Sequence, residues 1–221
     1  MFNWFNQKLI VLGAMHSLSA RTTLNELKDP IGKHEILNFM NAADLSLADI
    51  EIRPSYAPRE GLSGGLTTAF SPLEKPVFIH SNTQTGAPVE LSESEESQGT
   101  LALFAFAGMW MHTMKNEHIL VVDELDSSLH PLVVQHLVKR LHHAGTKAQL
   151  VFTTHDATLL SQSLFRRDQV WFMEKDKNNA TRLYPLSDFS PRENEAIERG
   201  YLNGRYGAIP FLKDLDFYGV G

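Results

Sequence analysis

Cysteine is absent from all 221 residues. That excludes a disulfide framework and any thiolate metal site. No apolar run approaches the ~18 residues of a membrane-spanning helix. Asn3, Asn6, Gln7, Lys8 and His16 interrupt the amino-terminal stretch, so it does not read as a signal peptide. An excess of positive charge is also lacking. Lys and Arg number 20 against 26 Asp and Glu, for a formal net charge of −6. No overall electrostatic footprint for nucleic acid follows, although a local basic patch is compatible with it. No internal repeat is present. What is there, 43% hydrophobic residues in a chain of this length, suffices for one α/β domain, or one with an appendage. These features describe a soluble protein expected in the cytoplasm.

Three zones differ in texture. Residues 1–53 read mostly as helix, with Leu9, Ile10 and Leu12, and later Ile36, Leu37, Phe39 and Met40, at helical spacing. Residues 54–75 hold Pro54, Pro58, Gly61, Gly64, Gly65 and Pro72 and read as loop or linker. From residue 76 onward short apolar runs alternate with helical ones. Strands are expected at Val77–His80, Val89–Leu91, Ile119–Val122, Gln149–Thr153, Val170–Glu174 and Thr181–Pro185. Helices are expected at Gly99–Met114, from Pro131 to about His143, at Ala157–Ser163 and at Arg192–Arg199. Such alternation argues for an α/β fold with a mainly parallel sheet. The expected organisation is a helical segment and linker at 1–75, a core lobe at 76–190, and a carboxy-terminal helix and tail at 191–221.

The strongest chemical signal is His118-Ile-Leu-Val-Val-Asp-Glu-Leu-Asp-Ser-Ser-Leu-His-Pro131. An apolar strand ending in two adjacent carboxylates has the form of a Walker B segment. A buried strand holds side chains still at its end, so Asp123 can organise Mg²⁺ or its waters. Glu124 projects differently and can polarise a water for attack on a phosphate. Acidic residues often simply begin loops after strands, and it is the continuation Leu-Asp-Ser-Ser-Leu-His-Pro that tells against this. A second strand, Leu150-Val-Phe, delivers Thr153-Thr-His-Asp156 at its carboxyl end, where open α/β sheets place ligands. His155 is suited there to contact a γ-phosphate. The third segment, Glu96-Ser-Gln-Gly-Thr100, opens the long helix before the Walker B strand. Ser97 is a natural N-cap, and the exposed amides of a helix start attract phosphate.

In this order the segments resemble the ABC-type ATPases related to SMC and RecF proteins. They are more closely similar to AAA-family ATPases of bacterial anti-phage and abortive-infection systems, such as those of Septu and some retrons. The resemblance covers about residues 76–212 and includes Trp171-Phe-Met-Glu-Lys-Asp and Gly204-Arg-Tyr-Gly-Ala-Ile-Pro. It implies the carboxy-terminal lobe of an ABC-like P-loop NTPase fold that uses ATP and Mg²⁺. Asp123 would support the metal, Glu124 would be the general base, and His155 would contact the γ-phosphate and the attacking water. Ser97, Gly99 and Thr100 would meet ATP held by a second subunit, and Ser127 to His130 would form a D-loop at that interface. His130 stands where most ABC proteins carry Asp. The implied partners are a second copy or a related subunit across sandwiched ATP, and an effector nuclease or toxin subunit.

One element of such an enzyme is missing. The phosphate-cradling loop GxxxxGK[ST] does not occur in the sequence: Gly32-Lys33 is followed by His34 with no glycine five residues before it, and Gly61–Thr68 has no lysine. The chain therefore reads as amino-terminally truncated and inactive alone. Two functions follow: an ATPase in the intact protein, or a non-hydrolytic regulatory half-head that completes another subunit's ATP site. A metal nuclease built on Asp123, Glu124 and Asp126 is a weaker third reading. The ten histidines are scattered and do not suggest a metal site. Trp171, Phe172 and Tyr184 read as sheet packing, and Arg192–Arg199 as a solvated helix. Gly204-Arg-Tyr-Gly207 is either a turn that only packs or an effector contact.

Overall fold

The computed structural model describes residues 2–13, 18–43, 45–60, 66–82, 84–190 and 196–209, with backbone alone at 2, 56–60 and 66–73. The chain divides into two compact units, Met1–His155 and Asp156–Gly221.

The first unit runs α1 (Phe2–Lys8), β1 (Leu9–Leu12), α2 (Arg21–Glu26), α3 (Pro30–Asn41), β2 (Leu47–Glu60), β3 (Leu66–Ser81), β4 (Pro88–Ser92), α4 (Gln98–Asn116), β5 (Ile119–Val122), α5 (Pro131–His143) and β6 (Gln149–Phe152). Its helices begin where the sequence marks them. Asp29 caps α3 by accepting the Gly32 amide, with Pro30 in the first turn. Ser97 caps α4 through the Thr100 amide, and His130 caps α5, ahead of Pro131. α5 stops at Ala144, followed by Gly145 at φ +61°, where a side chain would be strained.

Helix α4 is the hub. Phe104, Phe106 and Trp110 are buried. Phe78 of β3 meets Phe104 edge-on at 5.2 Å, and Phe39 of α3 lies 6.4 Å from Phe106 and 6.1 Å from Trp110. α2 crosses α4 at Gly108, where an added Cβ would stand 2.4 Å from the Thr23 nitrogen. The fully buried Thr23 hydroxyl donates to the Phe104 carbonyl at 2.7 Å and accepts the Gly108 N–H at 3.0 Å. Two sheets flank this core: β1-β5-β6, all parallel, and β2-β3-β4, all antiparallel.

The second unit holds short 3-10 turns, the antiparallel pair β7 (Trp171–Lys175) and β8 (Thr181–Pro185), and α6 (Ile197–Leu202). Its core is Phe172, Leu186, Ile197 and the fully buried Tyr206.

The α/β reading holds, and its parallel sheet is three strands wide. Other expectations change. Leu9–Leu12 is not helix but strand β1, paired with β5 from Leu9↔Ile119 to Leu12↔Val122. The expected linker is mostly β2 and β3, a ribbon paired from Leu47↔His80 to Glu60↔Leu66; 61–65 lie outside the described residues. Position 75 falls inside β3. Ala157–Ser163 shortens to a 3-10 turn, Ala157–Leu159. The last helix is Ile197–Leu202, and 191–195 lie outside the described residues. Gly204-Arg-Tyr-Gly207 packs. Tyr206 is buried, its carbonyl accepts the Tyr184 hydroxyl, and the Ala208 amide donates to Glu174. Burial beside Glu174 pushes the Tyr184 phenol up to about 12. A side chain at Gly207 would collide with both Tyr184 and Glu174.

Two outcomes test this packing. Gly108→Ala should cost about 1–3 kcal/mol in urea denaturation, because α2 must move off α4; an unchanged midpoint would place α2 elsewhere. At the root of β5, burial, then His112 and Lys8, hold the His118 imidazole below its usual 6.5. The unfolded chain takes up this proton first as pH falls, so stability is lost below about 6.5. His118→Gln should remove part of the decline between about pH 7 and 5.

Candidate functional site

The parallel pairing of β5 and β6 places Val122 beside Phe152, so the residues that follow emerge together at one end of the sheet. The Thr153 amide donates to the Val122 carbonyl at 3.1 Å, and the Leu125 amide donates back to the Thr153 carbonyl at 3.1 Å. Between these two bonds sits the Thr153 hydroxyl. It donates to Asp123 Oδ1 at 2.6 Å and accepts the Glu124 N–H at 2.8 Å. On the other side the Asp123 amide donates to the Leu12 carbonyl of β1.

Glu124 has φ +49°, the left-handed region that a non-glycine residue enters only when held. The turn swings its side chain toward β6, and Glu124 Oε1 stands 3.9 Å from His155 Nε2. That is beyond a direct hydrogen bond and within one water's reach of both. His155 is 89% exposed and Glu124 44%. The pair is therefore accessible to a ligand and contributes little as an ion pair. Asp123, Glu124 and His155, singled out from sequence, thus come together.

A second group forms at the start of α4. The Ser97 hydroxyl accepts the Thr100 amide at 3.0 Å and lies 2.8 Å from the Thr100 hydroxyl, which is buried. Thr100 faces inward and shapes the cap, while Ser97 is exposed. Gly99 approaches the loop before α5 so closely that an added Cβ would be 3.1 Å from the Ser128 carbonyl. The structure thus joins Ser97–Thr100 to the Ser127–His130 segment within one chain. Ser127 and His130 are exposed, and His130 Nδ1 accepts the Leu132 amide at 3.3 Å.

Two contributors escaped the sequence reading. Thr153 sits in the Leu150–Asp156 motif, but nothing in its spacing marks it as the bridge. Glu96 has a side chain only 5% exposed, takes His80 Nε2 at 2.5 Å, and accepts the Ser97 N–H at 3.2 Å, tying β3 to the start of α4. Its neighbour Glu95 is held below the usual carboxylate range by the Ser92 hydroxyl and amide.

The donor set suits Mg²⁺, which binds through one or two carboxylates, keeps several waters and takes phosphate oxygens. Asp123 supplies one exposed carboxylate, steadied on one oxygen by Thr153. No group of three or more His, Asp or Glu placed to hold a metal occurs among the described residues. Nor is any helix among them long and apolar enough to cross a membrane.

Removing the bridge should be measurable without any ligand. Thr153→Val should speed amide exchange at Glu124 about fivefold, the worth of one hydrogen bond of roughly 1 kcal/mol. Thr153→Ser should leave it near the parent rate. Equal exchange in both variants would show that the hydroxyl does not hold the turn.

The chain is 29% identical over 126 residues to Septu protein PtuA of Bacillus mycoides (strain KBAB4), a match that covers 54% of this chain and 18% of the relative. The chain therefore spans much less than two-thirds of that protein's length. A family model described as "AAA domain, putative AbiEii toxin, Type IV TA system" matches residues 15–161, from the segment before α2 to beyond β6. That match covers two-thirds of the chain and includes every residue of both groups above, so the protein belongs to this family of AAA domains.

Proposed function

We propose that this chain supplies the water-activating lobe of an ATP-hydrolysing subunit in a phage-defence system. In this reading Asp123 supports Mg²⁺, Glu124 is the general base, and His155 contacts the γ-phosphate. The observation that carries it is the Thr153 bridge, which fixes Asp123 and the backbone of Glu124 at once and turns Glu124 toward His155.

The chemistry then divides by residue. Asp123 offers an exposed carboxylate oxygen to the cation, which supplies charge stabilisation at the phosphates when bound. Glu124 takes the proton of a water lying between it and His155. His155, exposed and unencumbered by packing, donates from its ring to a phosphate oxygen. Ser97, Ser127 and His130 are exposed on a separate surface, with Gly99 and Ser128 half-buried against each other beneath it, fitted to meet ATP held by a second subunit, in a homodimer or a hetero-oligomer. The phosphate cradle itself comes from residues other than these 221, because no GxxxxGK[ST] loop is among them. The Septu likeness supports the defence assignment and a partner effector subunit.

The alternative, a non-hydrolytic half-head, keeps the second surface and dispenses with the first. It is favoured by one feature, the joining of Gly99 to Ser128 independently of Glu124. The two readings separate cleanly in phosphate-release assays. Residues 1–221 alone should show negligible ATP turnover. When the chain is joined to a segment carrying the phosphate loop, turnover should appear. Glu124→Gln and His155→Ala should then each lower kcat by about 10²–10⁴-fold. Turnover unaffected by Glu124→Gln would favour the half-head. Robust turnover by 1–221 alone, lost in Glu124→Gln, would refute the need for an added loop.

A further inference from the structure

Parallel strands that end together also begin together. Leu9, Ile119 and Gln149 are level across β1, β5 and β6. The residues just ahead of them therefore gather at the end of the sheet opposite Asp123 and Thr153. They are Lys8, His118 and, two positions before Gln149, Lys147. Local contacts tie this end together. The Lys8 ammonium donates to the Asn116 carbonyl at 2.8 Å, and the Thr146 hydroxyl donates to the Met114 carbonyl at 3.3 Å, which brings Lys115 and Lys147 close in the fold. The His112 and His118 rings stand 5.0 Å apart. Lys8 and His112 are near enough to act on the His118 imidazole as like charges.

This end is cationic although the chain as a whole is acidic. Residues 1–25, 97–116 and 127–155 contain no Asp or Glu. Between α4 and β5 stands one carboxylate, Glu117, which is exposed. Among the described residues none of Lys8, Lys115 and Lys147 has a carboxylate partner. A lysine in the last turn of a helix commonly offsets its dipole, which accounts for Lys115. It does not account for Lys147, which lies beyond the end of α5, nor for the aromatic rings beside Lys8. Trp4 and Phe5 are each 49% exposed and meet edge-to-face at 5.2 Å. Trp4 lies four residues before Lys8 on α1, so the indole and the ammonium share a helix face. Exposed rings among unpaired cations are the composition of a single-strand platform, in which bases stack on the rings and phosphates follow the charge. A duplex hides its base faces and leaves such rings nothing to stack on.

We propose that this end of the β1-β5-β6 sheet binds a single-stranded polynucleotide, with bases stacked on Trp4 and Phe5 and phosphates held by Lys8, Lys115 and Lys147. Lys139 and Arg140, exposed farther back along α5, continue the cationic track. The site is at the far end of the sheet from Glu124 and binds without ATP, so it is independent of the ATPase reading.

Purified 1–221 is titrated, without ATP, into a fluorescent single strand of about 15 nucleotides at about 50 mM salt, and anisotropy is followed. DNA and RNA strands of one sequence are compared; binding of either upholds the proposal, and the tighter one identifies the ligand. The plot of log affinity against log salt should slope between about −2 and −3.5, for three to five phosphates at about −0.7 each. Lys115→Gln with Lys147→Gln should weaken binding at least about tenfold and flatten the slope by about 1.4. The same two positions changed to Arg should keep both. Trp4→Ala should weaken binding about fivefold or more with the slope unchanged, and Trp4→Phe should restore most of it. Glu124→Gln should bind like the parent. Absence of binding overturns the proposal, as does binding that survives the paired Gln substitutions or Trp4→Ala in a folded variant. A duplex of the same length bound as tightly as the single strand also overturns it. Competition by poly-glutamate on equal terms assigns the surface to an acidic protein and overturns it too.

Discussion

The register of β5 against β6 is the constraint from which the candidate site follows. Val122 sits beside Phe152, so Asp123 and Thr153 leave the sheet together. The Thr153 hydroxyl uses its donor on Asp123 and an acceptor lone pair on the Glu124 amide. A left-handed residue other than glycine costs about 1–2 kcal/mol, and the amide bond to Thr153 offsets much of that cost at Glu124. A slip of one residue in this pairing would turn Thr153 to the other face and leave both carboxylates unsupported. The catalytic assignment therefore depends on a backbone ladder, with the side chains following from it.

The same logic extends to the start of α4. That helix is anchored by Phe104, Phe106 and Trp110 in the core, so its first turn does not drift. Glu96 ties the turn to His80 on β3, and Gly99 brings it against the Ser128 carbonyl. Two surfaces result, one around Glu124 and one around Ser97, and the β5–α5 connection contributes residues to both. Under the ATPase reading, one surface acts on the nucleotide bound within its own head and the other on a neighbour's.

Much of this was legible in the residues, and what was not has physical reasons. Ile119–Val122 is an apolar run that ends abruptly in charge, and Pro131 and Gly145 bracket α5, so those elements could be placed from sequence. Leu9–Leu12 could not. Four apolar residues fit a helix as well as a strand, and only the partner β5 decides between them. β2 and β3 were obscured by Pro54, Pro58, Pro72 and Pro76. Proline argues against a central strand, but β2 is an edge, and β3 pairs with β4 only from Val77 to Ser81. Asp123, Glu124 and His155 could be singled out because of the segments around them, the run Leu125–Pro131 and the order of the two strands, since a charge at a strand end is in itself common. Thr153 could not, because its role is a pair of distances across two strands. Thr100 could be named but not oriented, because only the fold shows its side chain turned inward.

Under the ATPase reading, Glu124 and His155 share one water poised for attack on a phosphate. The most direct test is a structure of the chain completed with a phosphate-loop segment and bound to Mg²⁺, ADP and a phosphoryl transition-state mimic. A water should then stand within about 2.6–3.2 Å of both Glu124 and His155, in line with the mimic, with the Thr153–Asp123 bond intact. A Glu124 carboxylate turned away from the phosphates, with another group holding the attacking water, would contradict it.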